Sequence, residues 1–278
     1  MPPPRSLTTP SLRRAADVSL PAPQPRSFSK TPMSTGATGS DFERPWQHCA
    51  TVPHVDTPWG APPLRDRRRH GYESAREDVQ RHVPTAARSI LELGCSSGAL
   101  GAALKARQRV SVLGVEIDPT YAADAAEVLD RVVQTSAESF VAGEMPQEAP
   151  FDCVIAADVL EHLVDPWATL RAAGRWVRPG GLAVVSLPNV LYWRAMRRVL
   201  SEQRWPRDDQ GIFDRTHLRW FSWRDAFQLV AEAGFRVNYV DPQYRESGRG
   251  RARVLRLSRS PLAPFLPAQL IVVGERAS

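Results

Sequence analysis

The stretch SILELGCSSG, residues 89–98, decides the fold of this chain when it is taken with VEIDP, residues 115–119. An apolar run containing an acid is followed by a turn between two glycines, and residues 99–108 then have the composition of a helix. A second apolar run begins at Val110 and ends in Glu116. This order predicts the first half of a nucleotide-binding βαβ unit, in which the turn lets backbone N–H groups approach a ligand.

The turn lacks the G-x-G-x-x-G pattern of dinucleotide-binding proteins. Gly94 and Gly98 stand four residues apart, and Glu92 lies two residues before the first of them. A carboxylate at that position would repel a pyrophosphate but attract a cationic ligand. Glu116, about 20 residues further on, suits the two hydroxyls of a ribose. A nucleoside that carries a sulfonium, S-adenosylmethionine, satisfies both conditions.

These features together resemble the class I S-adenosylmethionine-dependent methyltransferases. The likeness runs from Tyr72 to Val240 and includes a final strand near Ile271. It implies an α/β, Rossmann-like domain with a seven-stranded, mostly parallel sheet and helices on both faces. It also implies that the last strand is antiparallel and forms a hairpin with strand six. The implied activity is that of a transferase that uses S-adenosyl-L-methionine.

Alternating apolar and helical segments favour a parallel sheet covered by helices. The predicted strands are 89–93, 110–117, 131–134, 151–157, 182–187, 235–240 and 269–273. The predicted helices are 72–83, 99–107, 120–130, 166–177 and 222–233. Pro84, Pro119, the RPGG run at 178–181 and Gly234 supply the start and stop signals for these bounds.

Charge is unevenly distributed along the 278 residues. Residues 1–32 carry five basic and one acidic side chain, and residues 245–278 carry seven basic and two acidic ones. The body between them, 33–244, has 24 basic and 27 acidic side chains. Because the net charge of +6 comes from the two ends, we do not expect a nucleic-acid-binding surface on the folded body.

Composition also divides the chain into regions. Thirteen of the 25 prolines fall in residues 1–63, which are poor in apolar side chains. Such a segment cannot bury enough surface to order itself. We therefore predict a disordered extension at 1–45, an arm at 46–70 and one methyltransferase domain at 71–278, with translation starting at the first residue or at Met33.

The three cysteines, Cys49, Cys95 and Cys153, show no paired spacing. Cys95, in the glycine turn, and Cys153, inside an apolar strand, predict reduced thiols and hence a cytoplasmic location. No apolar run reaches the roughly 18 residues that a membrane-spanning helix needs. No Cys, His or Asp cluster has metal-ligand spacing, so the sequence predicts no metal. Nothing in the sequence indicates the oligomeric state.

The resemblance implies a cofactor site at the ends of strands one, two, three and four. Relatives usually carry glycine where Ser96 stands and an acid near Ser136, so the Ser136 hydroxyl or the Ala137 N–H is expected at the adenine. The predicted cofactor-binding residues are Glu92, Gly94, Cys95, Ser96, Gly98, Glu116, Ile117, Ser136, Ala137 and Asp158.

Two segments supply candidate catalytic residues. ADVLEHLVDP, residues 157–166, follows strand four, and the resemblance implies that it lies against the methyl group. GIFDRTHLRWFS, residues 211–222, places polar groups among aromatic ones, as in a shaped pocket. We predict His217 as the first candidate base, His162 as the second, and Asp158 beside them. The alternative is that the EH pair only begins a helix and His217 belongs to an internal network.

The segment SLPNVLYW, residues 186–193, leaves strand five at the same edge of the sheet. We predict acceptor contacts at Asn189, Tyr192, Asp214 and Arg219. The PN and YWR pattern of this segment resembles bacterial methyltransferases found with glycan-assembly proteins, and also the MetW-type proteins linked to methionine biosynthesis.

The sequence therefore predicts a methyltransferase that O-methylates a small molecule or a glycan hydroxyl. Two alternatives stay open: a quinone or polyketide methyltransferase, and a non-catalytic S-adenosylmethionine-binding partner protein of the MetW type. Six arginines within 245–259, followed by apolar residues, are explained by a solvated loop, by an anionic substrate or by peripheral membrane contact through 245–266.

Overall fold

The computed structural model describes residues 73–245 and 257–277 of the chain. The strands within them are β1 (Ser89–Leu93), β2 (Ser111–Glu116), β3 (Arg131–Gln134), β4 (Phe151–Ala157), β5 (Val177–Pro188), β6 (Phe235–Gln243) and β7 (Gln269–Arg276). They form one sheet in the order β3-β2-β1-β4-β5-β7-β6. The predicted extension at 1–45 and the arm at 46–70 lie outside the described residues.

The direction of the strands confirms the predicted fold class. Strands β1 to β5 pair in parallel with one another. Strand β7 runs antiparallel between β5 and β6, so β6 and β7 form the expected antiparallel pair. The result is a Rossmann-like α/β sheet whose carboxyl-terminal edge is open for a ligand.

Helices connect the strands. They are α1 (Glu77–Gln80), α2 (Ala99–Arg107), α3 (Pro119–Ala126), α4 (Ala137–Ala142), α5 (Pro166–Gly174), α6 (Trp193–Glu202) and α7 (Trp223–Glu232). Local sequence explains several starts: Asp118 caps α3 by accepting from two backbone N–H groups, and Pro119 occupies its first turn. Ser222 and Asp225 form a capping box at α7.

The core lies on both faces of the sheet, as alternating side chains in the strands require. In β4, Cys153 and Ile155 join the cluster that contains Leu104 of α2. Val154 and Ala156 face the other way and join the cluster that contains Leu170 of α5. Helices therefore cover both faces, and the central strands are buried on both sides.

Some predicted bounds were wrong. The first helix was predicted at 72–83 but spans only Glu77–Gln80, because Arg76 takes a left-handed backbone conformation with φ 48°. The helix predicted to reach 177 ends at Gly174, because Val177 already pairs with Phe151 and β5 begins before the RPGG run. Helices α4 and α6 were missed by the sequence analysis.

The segment predicted to touch a membrane is described only at Arg245 and at 257–266. Leu262 and Phe265 are partly exposed there, and membrane contact stays a prediction. Among the residues described, no helix is both long and apolar enough to cross a bilayer. Cys95 and Cys153 are buried and unlinked, and the cytoplasmic location stays a prediction.

Candidate active site

A cleft of about 550 Å³ lies at the carboxyl ends of the parallel strands. Glu92 of β1, Glu116 of β2, Ala157 of β4 and Pro188 of β5 all line it. This is the edge at which open α/β sheets bind ligands, because the loops that follow the strands diverge there.

The glycine turn forms one wall of the cleft. Gly94 has φ +68°, and a Cβ added to it would stand 2.8 Å from Cγ2 of Val159, so both conformation and space require glycine there. The N–H groups of Gly94 and Cys95 donate to the Val115 carbonyl oxygen at 2.8 and 3.0 Å. These bonds hold the turn against the end of β2.

Glu116 ties the same turn to the loop after β2. Its Oε2 accepts the Ser96 N–H at 2.8 Å, and its Oε1 accepts the N–H groups of Ile117 and Asp118 at 2.9 Å each. The side chain is buried yet lines the cleft. Backbone donors therefore hold in place the Glu116 carboxylate, which is predicted to bind the ribose.

Glu92 is a buried acid at the base of the cleft. Burial, and secondly the nearby Glu116 carboxylate, raise the pKa of Glu92 to about 8. Its Oε2 finds no hydrogen-bond partner within the described part of the chain. A buried carboxylate oxygen without a donor favours a cationic ligand, so the residues present fit S-adenosylmethionine.

Ser136 lies where the adenine contact was predicted, but its hydroxyl already has partners. Ser136 Oγ accepts the Ser139 N–H at 3.1 Å and donates to Ser139 Oγ at 2.8 Å, which caps α4. Ala137, the first residue of α4, lines the cleft beside it. Both expected adenine contacts thus lie at the cleft, and which of them binds a ligand stays a prediction.

The structure brings most of the predicted cofactor residues together. Those that line the cleft are Glu92, Gly94, Cys95, Glu116, Ile117, Ser136, Ala137 and Asp158. Two do not line it. The Ser96 N–H donates to Glu116. Gly98 is the N-cap residue of α2, and a Cβ added to it would stand 2.8 Å from Val128.

Asp158 anchors the first helix to the sheet. Its carboxylate forms an ion pair with Arg76 and accepts hydrogen bonds from the Ser186 hydroxyl and from Gln269 Nε2. Arg76 also pairs with Asp78 at 2.9 Å. These contacts make Asp158 an anchor between the first helix and the sheet, and its predicted catalytic role stays a prediction.

Glu161, His162 and His217 form a cluster in the wall of the cleft. The ring centroids of the two histidines are 4.7 Å apart and the planes are nearly perpendicular. His217 Nε2 lies 3.9 Å from Glu161 Oε1. Burial, and secondly Asp158, raise the pKa of Glu161 well above its ordinary value. Two imidazoles and one desolvated carboxylate therefore face one another beside the cofactor site.

Backbone bonds hold this cluster together across the chain. The Glu161 carbonyl oxygen accepts the N–H groups of Leu218 and Arg219 at 2.8 and 3.0 Å. His162 Nδ1 lies 3.0 Å from Thr216 Oγ1. The turn after β4 and the segment before α7 are thereby joined, although more than 50 residues separate them.

Three predicted acceptor contacts lie elsewhere. Asn189 is fully buried, and its Nδ2 donates to the carbonyls of Pro264 and Pro267 at 2.9 and 2.8 Å. Tyr192 packs in a small apolar cluster at the start of α6. Arg219 donates to the Val164 carbonyl at 2.6 Å. Of the four predicted residues, Asp214 lines the cleft.

The sequence analysis missed two residues of the site. Arg76 comes from a polar stretch before the first strand, and no local signal distinguishes it. Glu161 was taken only as part of a helix start, yet it is 1% exposed. Its position between the buried residues Leu160 and Leu163, next to a histidine, is the signal that a buried acid was present.

The family model described as a methyltransferase domain matches residues 66–240. The chain belongs to this family. It is a class I S-adenosylmethionine-dependent methyltransferase, and S-adenosylmethionine is its cofactor, as the sequence predicted.

Curated relatives of this methyltransferase include ubiquinone biosynthesis O-methyltransferases. The protein from Methylobacterium nodulans is 38% identical over 112 residues, which is 38% of this chain and 43% of that protein. The protein from Pseudomonas aeruginosa is 33% identical over 114 residues, 40% of this chain and 49% of the relative. The match thus spans less than half of the relatives' length.

Solved structures share the fold of this methyltransferase. A SAM-dependent methyltransferase from Archaeoglobus fulgidus has a TM-score of 0.55 at 17% identity and covers 77% of this chain and 98% of its own. A possible histamine N-methyltransferase from Thermotoga maritima has a TM-score of 0.51 at 20% identity, and the match covers 77% of this chain and 92% of the Thermotoga chain. At these identities the likeness concerns the fold alone.

Proposed function

We propose that this methyltransferase transfers a methyl group to a hydroxyl oxygen of a small molecule. The cluster of Glu161, His162 and His217 in the wall of the cofactor cleft carries the proposal. A hydroxyl becomes a good nucleophile when it loses its proton, and a histidine is well suited to take a proton near neutral pH.

The hydrogen bonds around His217 support its role as the proton acceptor. Its Nδ1 lies 3.1 Å from the Ile212 carbonyl oxygen. Because a carbonyl only accepts, Nδ1 carries the hydrogen and Nε2 carries the lone pair. Glu161 Oε1, 3.9 Å from that Nε2, is placed to stabilise the imidazolium that forms after proton transfer.

S-adenosylmethionine supplies an electrophilic methyl group on a sulfonium, which is a good leaving group. Glu92, Gly94 and Glu116 are the residues proposed to hold it. With it bound, the acceptor oxygen would form its bond to the methyl carbon as the carbon–sulfur bond breaks, and His217 Nε2 would take the hydroxyl proton. Positioning by the cleft lowers the barrier, and the base adds a rate factor of about 10²–10⁴.

The named relatives support a quinone-type acceptor, because they are O-methyltransferases of ubiquinone biosynthesis. A glycan hydroxyl, the other expected acceptor, is the second class to assay. The MetW-type resemblance suggests a different role, in which the chain binds S-adenosylmethionine and supports a partner enzyme.

The decisive experiment measures methyl transfer and cofactor binding on the same protein. The full chain is assayed with phenolic quinone precursors and with glycans, and S-adenosylhomocysteine binding is measured by calorimetry. His217→Ala should lower kcat by about 10²–10⁴-fold and leave the Kd for S-adenosylhomocysteine unchanged. His82→Ala, whose imidazole pairs with Asp241 away from the cleft, is the matched control.

Each outcome decides between the roles. Wild-type turnover in His217→Ala would exclude His217 as the base. Micromolar S-adenosylhomocysteine binding without turnover on either acceptor class would contradict the O-methyltransferase proposal and favour the partner-protein role.

A further inference from the structure

Three possible ligand atoms converge at one point of the cleft wall. Glu161, His162 and His217 each offer one, and all three atoms lie within 4.8 Å of one another. Among residues 73–245 and 257–277 no other group of three such side chains converges in this way. The sequence alone does not reveal this group of ligands, because His217 is 55 residues from His162 along the chain.

Both histidines are oriented by hydrogen bonds at Nδ1. His217 Nδ1 donates to the Ile212 carbonyl. His162 Nδ1 lies 3.3 Å from the Thr216 carbonyl oxygen and 3.0 Å from Thr216 Oγ1. Thr216 Oγ1 gives its own proton to Asp214 at 2.7 Å, so Nδ1 of His162 must be the donor. When the two imidazoles are neutral, both Nε2 atoms therefore carry the lone pairs.

This pattern is the one that orients metal-binding histidines. A ligating imidazole usually donates its other N–H to a carbonyl or carboxylate, which sets the tautomer and the direction of the ring. Thr216 extends the arrangement one step further, because it connects His162 to the Asp214 carboxylate.

The third ligand is a buried acid that needs a positive partner. Glu161 is 1% exposed, and its Oε2 accepts no hydrogen bond from any residue that the structure describes. The nearby Arg76 is already paired with Asp158 and Asp78. Burying a carboxylate oxygen in this way is costly unless a cation or a proton is supplied.

We propose that Glu161, His162 and His217 bind one divalent first-row transition ion in the wall of the cleft. Two imidazoles and one carboxylate with a position left open is the ligand set of catalytic zinc sites. Mg²⁺ and Ca²⁺ prefer all-oxygen sites, so the nitrogens favour an ion of the Zn²⁺ type. A tetrahedral site needs ligand atoms about 3.3 Å apart, so binding draws the three side chains together.

The ion has a consequence for catalysis that rests on the proposed function. An acceptor hydroxyl at the open position would lose its proton more easily, because a bound cation lowers the pKa of a coordinated oxygen. With the ion bound, the histidines would be its ligands and the hydroxyl proton would go to water. In the ion-free protein His217 Nε2 accepts it directly.

Metal binding is tested without any acceptor. The full chain is stripped with EDTA, desalted, and titrated with Co²⁺ by visible absorption and with Zn²⁺ by calorimetry. We expect one equivalent with d–d bands and no cysteine-to-cobalt charge-transfer band. Glu161→Gln should weaken this binding by at least about 100-fold, more than the usual effect of an outer residue. His82→Ala is the matched control and should bind as the wild type does.

A second variant keeps the test valid if Glu161→Gln loses its fold. Thr216→Val keeps all three ligands but removes the hydroxyl beside His162, and should weaken Co²⁺ binding by about 10-fold or more. Unchanged circular dichroism and S-adenosylhomocysteine binding would show that each variant is folded.

Two results would overturn the inference. One is that the wild type binds no equivalent of Co²⁺ or Zn²⁺ at micromolar concentration. The other is that binding is unchanged in both folded variants, which would place the ion elsewhere in the chain. The proposed function fails separately: tight Co²⁺ binding without methyl transfer would refute only the acceptor assignment, and full turnover in EDTA without metal binding would refute only the metal site.

Discussion

Replacing the buried acid Glu92 with glutamine should change how the stability of this methyltransferase depends on pH. In the folded protein the pKa of Glu92 is about 8, against an ordinary value of 4.5, and burial is the main cause. The native state therefore holds this proton over a range of pH in which the unfolded chain releases it.

The sign of the effect follows from proton binding. Between pH 4.5 and about 8 the native state binds more protons at Glu92 than the unfolded state does, so the free energy of unfolding falls as the pH rises. Below pH 4.5 the stabilisation that comes from this bound proton is fully present, and above about pH 8 it is lost. At about 1.4 kcal/mol per pH unit, the loss is on the order of 3–5 kcal/mol.

Glu92→Gln should remove most of this loss. The amide stays neutral at every pH and has almost the same size and shape as the carboxyl group that it replaces. The difference in unfolding free energy between wild type and variant should move by several kcal/mol in favour of the variant from pH 5 to pH 8. Other titrating groups are common to both proteins and cancel.

The assay is urea unfolding without cofactor at pH 5, 6, 7 and 8, with equal m-values required for the comparison. Glu127→Gln, at the exposed end of α3, is the matched control and should follow the wild-type curve. If wild type and Glu92→Gln show parallel pH profiles to within about 0.5 kcal/mol, Glu92 ionises in the native state without cost. The reasoning from burial would then be refuted.

Three further changes test the cofactor turn and a helix start. Glu116→Gln should weaken S-adenosylhomocysteine binding by about tenfold or more in calorimetry, the order expected for hydrogen bonds to a charged group; equal affinity would remove Glu116 from the cofactor site. Gly94→Ala should lower the free energy of unfolding by about 1–3 kcal/mol, because its Cβ would stand 2.8 Å from Val159 at positive φ. In the Gly94→Ala protein, adding Val159→Ala should recover only the part of the lost unfolding free energy that comes from the clash. A Gly94→Ala protein as stable as the wild type would contradict the argument. Ser222→Ala should cost about 1 kcal/mol in urea unfolding through loss of the α7 cap, and a change near zero would show that the cap contributes nothing.

Sequence reasoning succeeded where local pattern and tertiary burial agree. Strands β1, β3 and β4 have the predicted bounds, because each is a short apolar run between strong turn signals. It failed at α1, which begins only after Arg76, a residue in a left-handed backbone conformation whose side chain pairs with Asp158. Such a contact joins residues 82 positions apart and leaves no local signal.

The acceptor side of the site shows the same limit. Asn189 and Tyr192 leave β5 at the predicted edge of the sheet, but both turn into packed surroundings and not into the cleft. A sequence pattern indicates which edge a loop reaches, whereas the neighbours of that loop decide which side chains face a ligand.

The sequence by itself determined the sheet, the glycine turn, the two acids Glu92 and Glu116, and through them the cofactor. Those features depend on hydrophobic alternation and on residues close together in the chain, so their physics is local. Only the tertiary structure placed Glu161 and His162 beside His217. That approach depends on backbone bonds between the turn after β4 and the segment before α7, and contacts between distant segments form only when the whole core packs.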